Sequence, residues 1–153
     1  FDTYEKFANA SVEEILDGMM ENSVQKSVTE LHSLVFLSAG GQKQYSINYL
    51  PNEAQISPIY SMDTYDINKD GIEDLVLGGN YHNREVETSR SDASVGQFLL
   101  NNGQGNFAAI YNSISGLKLS NDLRELRIVK NSNNASVLIA ANNNAPLQAF
   151  LLK

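Results

Sequence analysis

From about residue 30 to the C-terminus, hydrophobic side chains alternate with polar ones in short runs that turn-forming residues separate. Alternation with a period of two is typical of β-strands that bury one face. The run 34–37 is apolar on both faces, which is typical of a buried strand. So many short strands with brief connections indicate an all-β sandwich or propeller, and nothing favours a parallel sheet with crossover helices. We expect about nine strands, at 34–37, 45–49, 59–65, 75–78, 95–101, 107–111, 123–130, 136–141 and 147–152.

Glycine and asparagine mark the turns between these strands. Both residues tolerate a left-handed backbone, so they favour tight turns. The turn signals are Gly40-Gly41, Asp70-Gly71, Asn102-Gly103 and the Asn-rich segment 142–146.

Residues 1–30 follow a different, helical period. Ser11 and Glu14 have the spacing of a capping box, in which each side chain bonds the backbone N–H of the other. We expect a short helical segment over 1–30 and a β region over 31–153, and the simpler interpretation of the segment is a packing helix. The apolar residues with helical spacing are Val12, Ile15, Leu16, Met19 and Met20, continued by Val24, Val28 and Leu31 after a break near Gly18.

Composition excludes several classes of function. At 153 residues the chain is one domain or a piece of one. The net charge of −7 argues against nucleic acid and anionic membrane surfaces as partners, and it is compatible with cation binding. The absence of cysteine excludes disulfides and thiolate zinc sites, and no apolar run approaches the roughly 18 residues of a membrane span.

Residues 66–74 read DINKDGIED and have the spacing of a calcium loop. Calcium prefers six to eight oxygen ligands, and an EF-hand loop supplies side-chain oxygens from its first, third and fifth positions. Asp66, Asn68 and Asp70 occupy those positions, and Gly71 permits the sharp bend that follows. The carbonyl of Ile72 stands where a main-chain ligand is expected.

The loop then departs from an EF-hand. Leu77 occupies the twelfth position, where an EF-hand has a bidentate Glu, and a strand follows instead of a helix. Asp74 is therefore the residue that would close the site. We predict a Ca²⁺ site between two strands, with side-chain ligands from Asp66, Asn68, Asp70 and Asp74 and the carbonyl of Ile72. The alternative is a solvated, Asx-rich turn without a cation. Asp63 either lies just outside this site as a supporting partner or points elsewhere.

The stretch 66–79, D-x-N-x-D-G-x-x-D-L-V-L-G-G, together with the predicted strand 59–65 before it, resembles the FG-GAP or VCBS repeat. That repeat builds β-propeller blades in integrin α-subunits and bacterial surface proteins. The resemblance implies that the loop joins the first two strands of a blade and binds calcium. Segment 96–107 is similar to the next hairpin of the repeat. Segments 50–58 and 141–146 are similar to the C-terminal part of large bacterial VCBS-repeat proteins, some of which carry an UnbV-type domain.

The resemblance implies an antiparallel, propeller-like architecture over 31–153. A blade takes ~40–50 residues, so this region would make about two to three blades, and a ring needs at least ~4. The expected strands fall into groups of two, four and three, before residue 51, within 59–111 and after residue 123. We therefore expect an incomplete propeller that pairs with remaining blades of a larger protein or associates with itself.

The resemblance also implies a place and a role. We expect an exported bacterial protein, extracytoplasmic, surface-associated or secreted, whose module mediates adhesion or binds a protein or glycan. An accessory, non-catalytic domain of a polysaccharide-active enzyme is the alternative, and a cation-independent structural domain is a third. No nucleophile elbow, phosphate loop or cysteine nucleophile is present in the sequence, so we do not expect an enzyme. Residues 81–87 form either a binding face beside the loop or a solvated excursion.

Overall fold

The computed structural model describes residues 1–38, 41 and 44–153, which divide into two units, Phe1–Leu31 and His32–Lys153. The first unit contains the helices α1 (Tyr4–Asn9) and α2 (Val12–Leu16) and a 3-10 turn (Met19–Asn22). The second unit contains the strands. The turn predicted at Gly40-Gly41 lies partly outside the described residues, since Gly40 is not among them.

The predicted capping box at the start of α2 is confirmed. The Ser11 hydroxyl accepts from the Glu14 N–H at 3.3 Å, and the Glu14 carboxylate accepts from the Ser11 N–H at 2.8 Å. The helix ends where Asp17 and Gly18 adopt left-handed φ angles of 42° and 79°.

The predicted continuation of helical structure after Gly18 is wrong beyond Asn22. Val24, Val28 and Leu31 lie in a segment without regular structure, and their side chains are exposed. A short helix needs a packed apolar face to be stable. Because these side chains are not buried, their helical spacing does not produce a helix.

The described part of the second unit contains nine strands, all antiparallel to their neighbours. Each strand end lies within two residues of its predicted position, so the all-β prediction is confirmed. The strands form sheets of two, four and three, ordered β1-β2, β3-β4-β5-β6 and β7-β8-β9, which is the predicted grouping. A short helix, α3 (Asn112–Ser115), precedes β7, and a 3-10 turn (Asn52–Ala54) precedes β3. The strands are β1 (Leu34–Ser38), β2 (Tyr45–Tyr49), β3 (Ser61–Tyr65), β4 (Asp74–Gly78), β5 (Gln97–Asn101), β6 (Phe107–Ile110), β7 (Leu123–Lys130), β8 (Ser136–Asn142) and β9 (Gln148–Leu151).

The β3–β6 sheet lies between two hydrophobic clusters. Leu75, Leu77 and Leu99 point to the cluster that includes Val35 of β1. On the other face, Val76 packs against the cluster formed with β7 and β8. All five residues of β4 are buried, so β4 is the central buried strand of the unit.

The prediction that strand 34–37 is buried on both faces is wrong. Val35 packs toward the β3–β6 sheet, but Phe36, on the opposite face of β1, is 62% exposed. The β1-β2 sheet is covered on one face only, because no further layer of the described residues packs on its other face.

Among the described residues, none of the helices has the length and hydrophobicity that a membrane-spanning helix requires.

Candidate metal centre

The predicted calcium loop connects β3 to β4. Tyr65 and Asp74 are paired across the two strands at the base of the loop, so the hairpin places residues 66–73 at one end of the β3–β6 sheet. Lys69 and Gly71 adopt left-handed φ angles of 62° and 87°. The bend expected at Gly71 is therefore present, and a second left-handed residue precedes it.

Three of the predicted ligands meet inside the loop. Asp66 accepts from the N–H of Asp70 through Oδ1 at 3.0 Å and from the N–H of Gly71 through Oδ2 at 2.9 Å. Asn68 accepts from the Asp70 N–H through Oδ1 at 3.1 Å and donates from Nδ2 to the Asp70 carboxylate at 2.8 Å. Asp70 in turn accepts from the N–H of Ile72 at 2.8 Å. These hydrogen bonds fold the loop around its own acidic side chains.

Asp74 lies beneath the loop and is 0% exposed. Its Oδ2 accepts from the N–H of Ile67 at 2.9 Å, and its Oδ1 accepts from the N–H of Asn101 at 2.8 Å. The carboxylate thus ties the loop to the end of β5. Within the described residues, no basic side chain forms an ion pair with it.

Ile72 and its neighbour hold the loop against the β5–β6 turn. The half-buried side chain of Ile72 lies beside Gly103 of that turn. The side-chain amide of Asn101 donates to the carbonyl of Glu73 at 3.1 Å. The loop is therefore attached to the neighbouring β5–β6 hairpin of the same sheet.

The donor chemistry of the loop fits a hard cation. Each oxygen of Asp66 and Asp74 accepts one backbone N–H, and a carboxylate oxygen has a second lone pair available. Over residues 1–38, 41 and 44–153, no group of three or more His, Cys, Asp or Glu side chains converges closely enough to form a metal site by itself. The carboxylate oxygens are instead directed at backbone N–H groups of the loop and of Asn101, so the arrangement is that of an Asx-rich turn.

Asp63 does not support this loop. Its Oδ2 accepts from the N–H of Ile128 in β7 at 2.8 Å, and its Oδ1 accepts from the N–H of Thr64 at 2.9 Å. Of the two interpretations of Asp63 offered by the sequence, the one in which it points elsewhere is correct.

A polar cavity, which the sequence did not predict, lies between the loop after β4 and the loops that flank β7 and β8. Its volume is about 360 Å³. Two of residues 81–87, His82 and Asn83, contribute to its wall. The acidic and amide groups of the wall at 121–122 and 143–144 lie about 40 to 60 residues further along the chain. The cavity is lined by His82, Asn83, Arg90, Asn121, Asp122, Asn143, Asn144 and Ala145.

Asp122 is the central charged residue of this cavity and is 2% exposed. Its Oδ2 accepts from Arg124 Nη2 at 2.8 Å and from Asn143 Nδ2 at 3.0 Å. Burial alone would raise the pKa of Asp122, but the bond from Asn143, the charge and hydrogen bond of Arg124 and the nearby His82 hold that pKa below its ordinary value of 3.8. Asp122 is therefore a carboxylate at neutral pH.

Two aromatic rings position Arg124. Its guanidinium carbon lies 4.6 Å from the ring centre of Tyr60 and 5.9 Å from that of Tyr81. Such cation–π contacts, together with the ion pair to Asp122, hold the guanidinium beside the cavity.

Comparisons of the chain with protein-family models, curated proteins and solved structures found no match. The resemblance of residues 66–79 to the FG-GAP or VCBS repeat stays a prediction that rests on the loop residues and the strands beside them.

Proposed function

We propose that residues 31–153 are a calcium-stabilised, propeller-like module of the FG-GAP or VCBS type that binds a protein or glycan in an exported bacterial protein. Asp66, Asn68, Asp70, Asp74 and the carbonyl of Ile72 would hold the ion. A bound calcium ion supplies the positive charge that the loop carboxylates lack. The role of these residues is structural: they fix the β3–β4 loop so that neighbouring loops keep one arrangement.

The observation that carries this proposal is the buried carboxylate of Asp74. It is fully buried, accepts two backbone N–H groups and has no ion-pair partner in the described part of the chain. Removing a carboxylate from water costs several kcal/mol, and two N–H bonds offset only part of that. Because Asp66 and Asp70 lie in the same loop, a divalent cation offsets the charge of all three acids at once.

The arrangement of the sheets supports the propeller part of the proposal. The β3–β6 sheet has its four antiparallel strands in sequence order, as a propeller blade does. The outer face of the β1-β2 sheet carries exposed apolar side chains, including Phe36 and Ile47, and Val129 and Leu151 are exposed on the β7–β9 sheet. Further layers packed on these faces would bury them.

The polar cavity at Asp122 favours a glycan over a flat protein surface as the ligand of such a module. The same observation suits an accessory domain of a polysaccharide-active enzyme, which is the alternative role for a module of this kind.

Thermal unfolding with and without calcium tests the proposal. The protein is first treated with EDTA and dialysed, and then melted in EDTA, in magnesium and in calcium. At a calcium concentration of about 100 times the Kd, binding adds roughly 2.7 kcal/mol to the free energy of unfolding. For a chain of this size, that raises the Tm by roughly 5–10 °C. Asp70→Ala is expected to remove most of that rise.

Glu73→Ala is the matched control, because it removes an exposed carboxylate next to the loop that is not among the proposed ligands. It should keep the full calcium-dependent rise. Identical melting curves in calcium and EDTA for the unsubstituted protein would overturn the proposed calcium site.

A further inference from the structure

We propose that the polar cavity at Asp122 binds vicinal hydroxyl groups of an uncharged saccharide. The cavity lies between residues 82–90, which follow β4, and the loops at 121–122 and 143–145. It contains no predicted calcium ligand. The inference rests on the proposed binding role of the module, but it does not require calcium.

Two buried polar atoms of the cavity residues have no hydrogen-bond partner within the described residues. They are Asp122 Oδ1 and His82 Nε2. An unpaired buried acceptor destabilises a fold, so native proteins pair such atoms with protein, water or ligand. Asp122 Oδ1 accepts only, and the imidazole nitrogen donates or accepts according to its tautomer. A pair of hydroxyl groups matches both atoms, because a hydroxyl donates and accepts.

The charges around the cavity select a neutral ligand. Arg90 and Arg124 lie on or beside the wall and disfavour a metal cation. The buried carboxylate of Asp122 disfavours an anion, since it presents an unpaired acceptor oxygen. The remaining polar wall consists of the amides of Asn83, Asn121, Asn143 and Asn144, which donate to and accept from hydroxyl groups.

Hydrogen bonds of a buried asparagine connect the segments that form the cavity. Asn80, which is fully buried, donates from Nδ2 to the carbonyls of Ser94 and Asn121 at 2.9 and 3.2 Å. Its Oδ1 accepts from the Ser57 hydroxyl at 2.9 Å and from the Ser94 N–H at 3.2 Å. Asn80 thus links the start of the 81–91 loop to the loop that carries Asp122.

Backbone hydrogen bonds also hold the two walls of the cavity in place. Tyr81 and Ser91 exchange two backbone hydrogen bonds of 2.8 and 3.0 Å, which close the base of the 82–90 loop. On the opposite wall, the Asn143 N–H donates to the Asp122 carbonyl at 2.8 Å. Pre-positioned polar groups lower the entropic cost of binding a small ligand.

The size of the cavity favours a ligand larger than a single water. A water takes about 30 Å³ of liquid volume, whereas small-molecule sites begin at about 300 Å³. At about 360 Å³ the cavity belongs to the second class. Asn83 and Asn144 belong to the cavity wall and are exposed, so the cavity borders on solvent at these residues.

A titration with simple glycosides, followed by ¹H–¹⁵N spectra of the full chain, tests this site. The probes are the methyl glycosides of glucose, galactose, mannose and N-acetylglucosamine, each added in calcium and in EDTA. At least one probe is expected to give saturable shifts centred on the amides of His82, Asn83 and Asn143. The Kd should be on the order of 1 mM, because a ligand with so few non-hydrogen atoms gains little binding free energy.

His82→Ala and Asp122→Asn are each expected to weaken binding about tenfold or more, which corresponds to losing one hydrogen bond to a well-placed partner. In Asp122→Asn the amide oxygen has to face the donors Arg124 and Asn143, so an NH2 group replaces the acceptor Oδ1. Asp92→Asn is the matched control, because it makes the same chemical change at an exposed position outside the cavity wall. If Asp122→Asn does not fold, His82→Ala, at a residue less buried than Asp122, decides the question.

No saturable shift with any of the four probes up to about 50 mM would overturn the inference, since it leaves water as the occupant. Binding that both cavity variants retain would overturn it as well, because the sugar then binds elsewhere. Failure of this test and failure of the proposed calcium site are separable, because the calcium test reads Tm and this test reads sugar-dependent shifts.

Discussion

Asp63 of β3 accepts, through its side-chain Oδ2, a 2.8 Å hydrogen bond from the backbone N–H of Ile128 in β7. Two residues earlier, the Ser61 hydroxyl accepts from the N–H of Leu126 at 2.9 Å. Both strands are at the edge of their sheets, so these N–H groups have no strand partner on that side. Side chains of one edge strand therefore substitute for a backbone ladder and join two sheets that pack face to face.

Asp63→Ala is expected to reduce the free energy of unfolding by about 1–3 kcal/mol, because it leaves the partly buried Ile128 N–H without an acceptor. Urea unfolding, followed by circular dichroism, measures the loss. Asp63→Asn keeps an acceptor oxygen and serves as the control, with less than half of that loss expected. Equal losses in the two variants would mean that the charge of Asp63, and not its acceptor role, stabilises the junction.

Gly79 is expected to tolerate no side chain at all. A Cβ atom there would lie 2.3 Å from the carbonyl oxygen of Pro58 and 2.6 Å from the backbone nitrogen of Tyr60. Both neighbours are backbone atoms that cannot rotate away. Gly79→Ala should therefore reduce the free energy of unfolding by more than about 3 kcal/mol or prevent folding.

Gly116→Ala is the comparison for Gly79. Gly116 has a left-handed φ of 71°, but a Cβ there meets no atom within 4 Å. Alanine is disfavoured there only because of the left-handed backbone, so the free energy of unfolding should fall by about 1 kcal/mol. Similar urea midpoints for the two variants would contradict the close approach at Gly79.

Local sequence patterns were sufficient to predict the strands and the residues that meet in the β3–β4 loop. Strand β4 is recognisable because Leu75, Val76 and Leu77 follow a turn signal, and the capping box at Ser11 involves residues only three positions apart. In the same way, Asp66, Asn68 and Asp70 meet because short-range Asx hydrogen bonds join them. These features depend on contacts within a few residues, which the sequence order displays directly.

Long-range partners were not predictable in this way. The hydrogen bond from Ile128 to Asp63 joins residues 65 positions apart. The polar cavity brings His82 close to Asp122 and Asn143, and nothing in the spacing of these residues distinguishes them from ordinary loop residues. The exposure of Phe36 depends on whether another layer covers β1, which the alternation within the strand does not reveal.

The ionisation of Asp122 makes stability depend on pH in the acid range. The pKa of this carboxyl is lowered in the folded state, because hydrogen bonds from Asn143 and Arg124 outweigh the effect of burial. The contribution is therefore fully present above the ordinary value of 3.8 and is lost as pH falls from there through the folded-state pKa.

Asp122→Asn removes this contribution, so we expect the difference in unfolding free energy between the two proteins to shrink as pH falls below about 4. Urea unfolding between pH 7 and pH 3 measures it, with Asp92→Asn as the control at an exposed position. A difference that stays constant over that range would show that the ionised form of Asp122 adds no stability.

The outer face of the β1-β2 sheet predicts self-association of this chain. Phe36 and Ile47 are directly opposite each other in the register of the two strands, so their side chains lie on the same face. They are 62% and 51% exposed, and Tyr45 extends the apolar surface beside them. Apolar surface of this kind is stabilised when a second surface covers it.

We expect the sedimentation coefficient to rise with protein concentration over the micromolar range, and the double substitution Phe36→Ser with Ile47→Thr to abolish that rise. The Tm measured at low concentration should change little, because neither side chain is part of the two hydrophobic clusters. Val86→Thr, at a fully exposed residue of the 82–90 loop, is the control and should associate like the unsubstituted chain. A monomer at every concentration would show that this apolar face remains in contact with water. It would also remove one support of the propeller proposal, because a blade face needs a neighbouring blade to cover it.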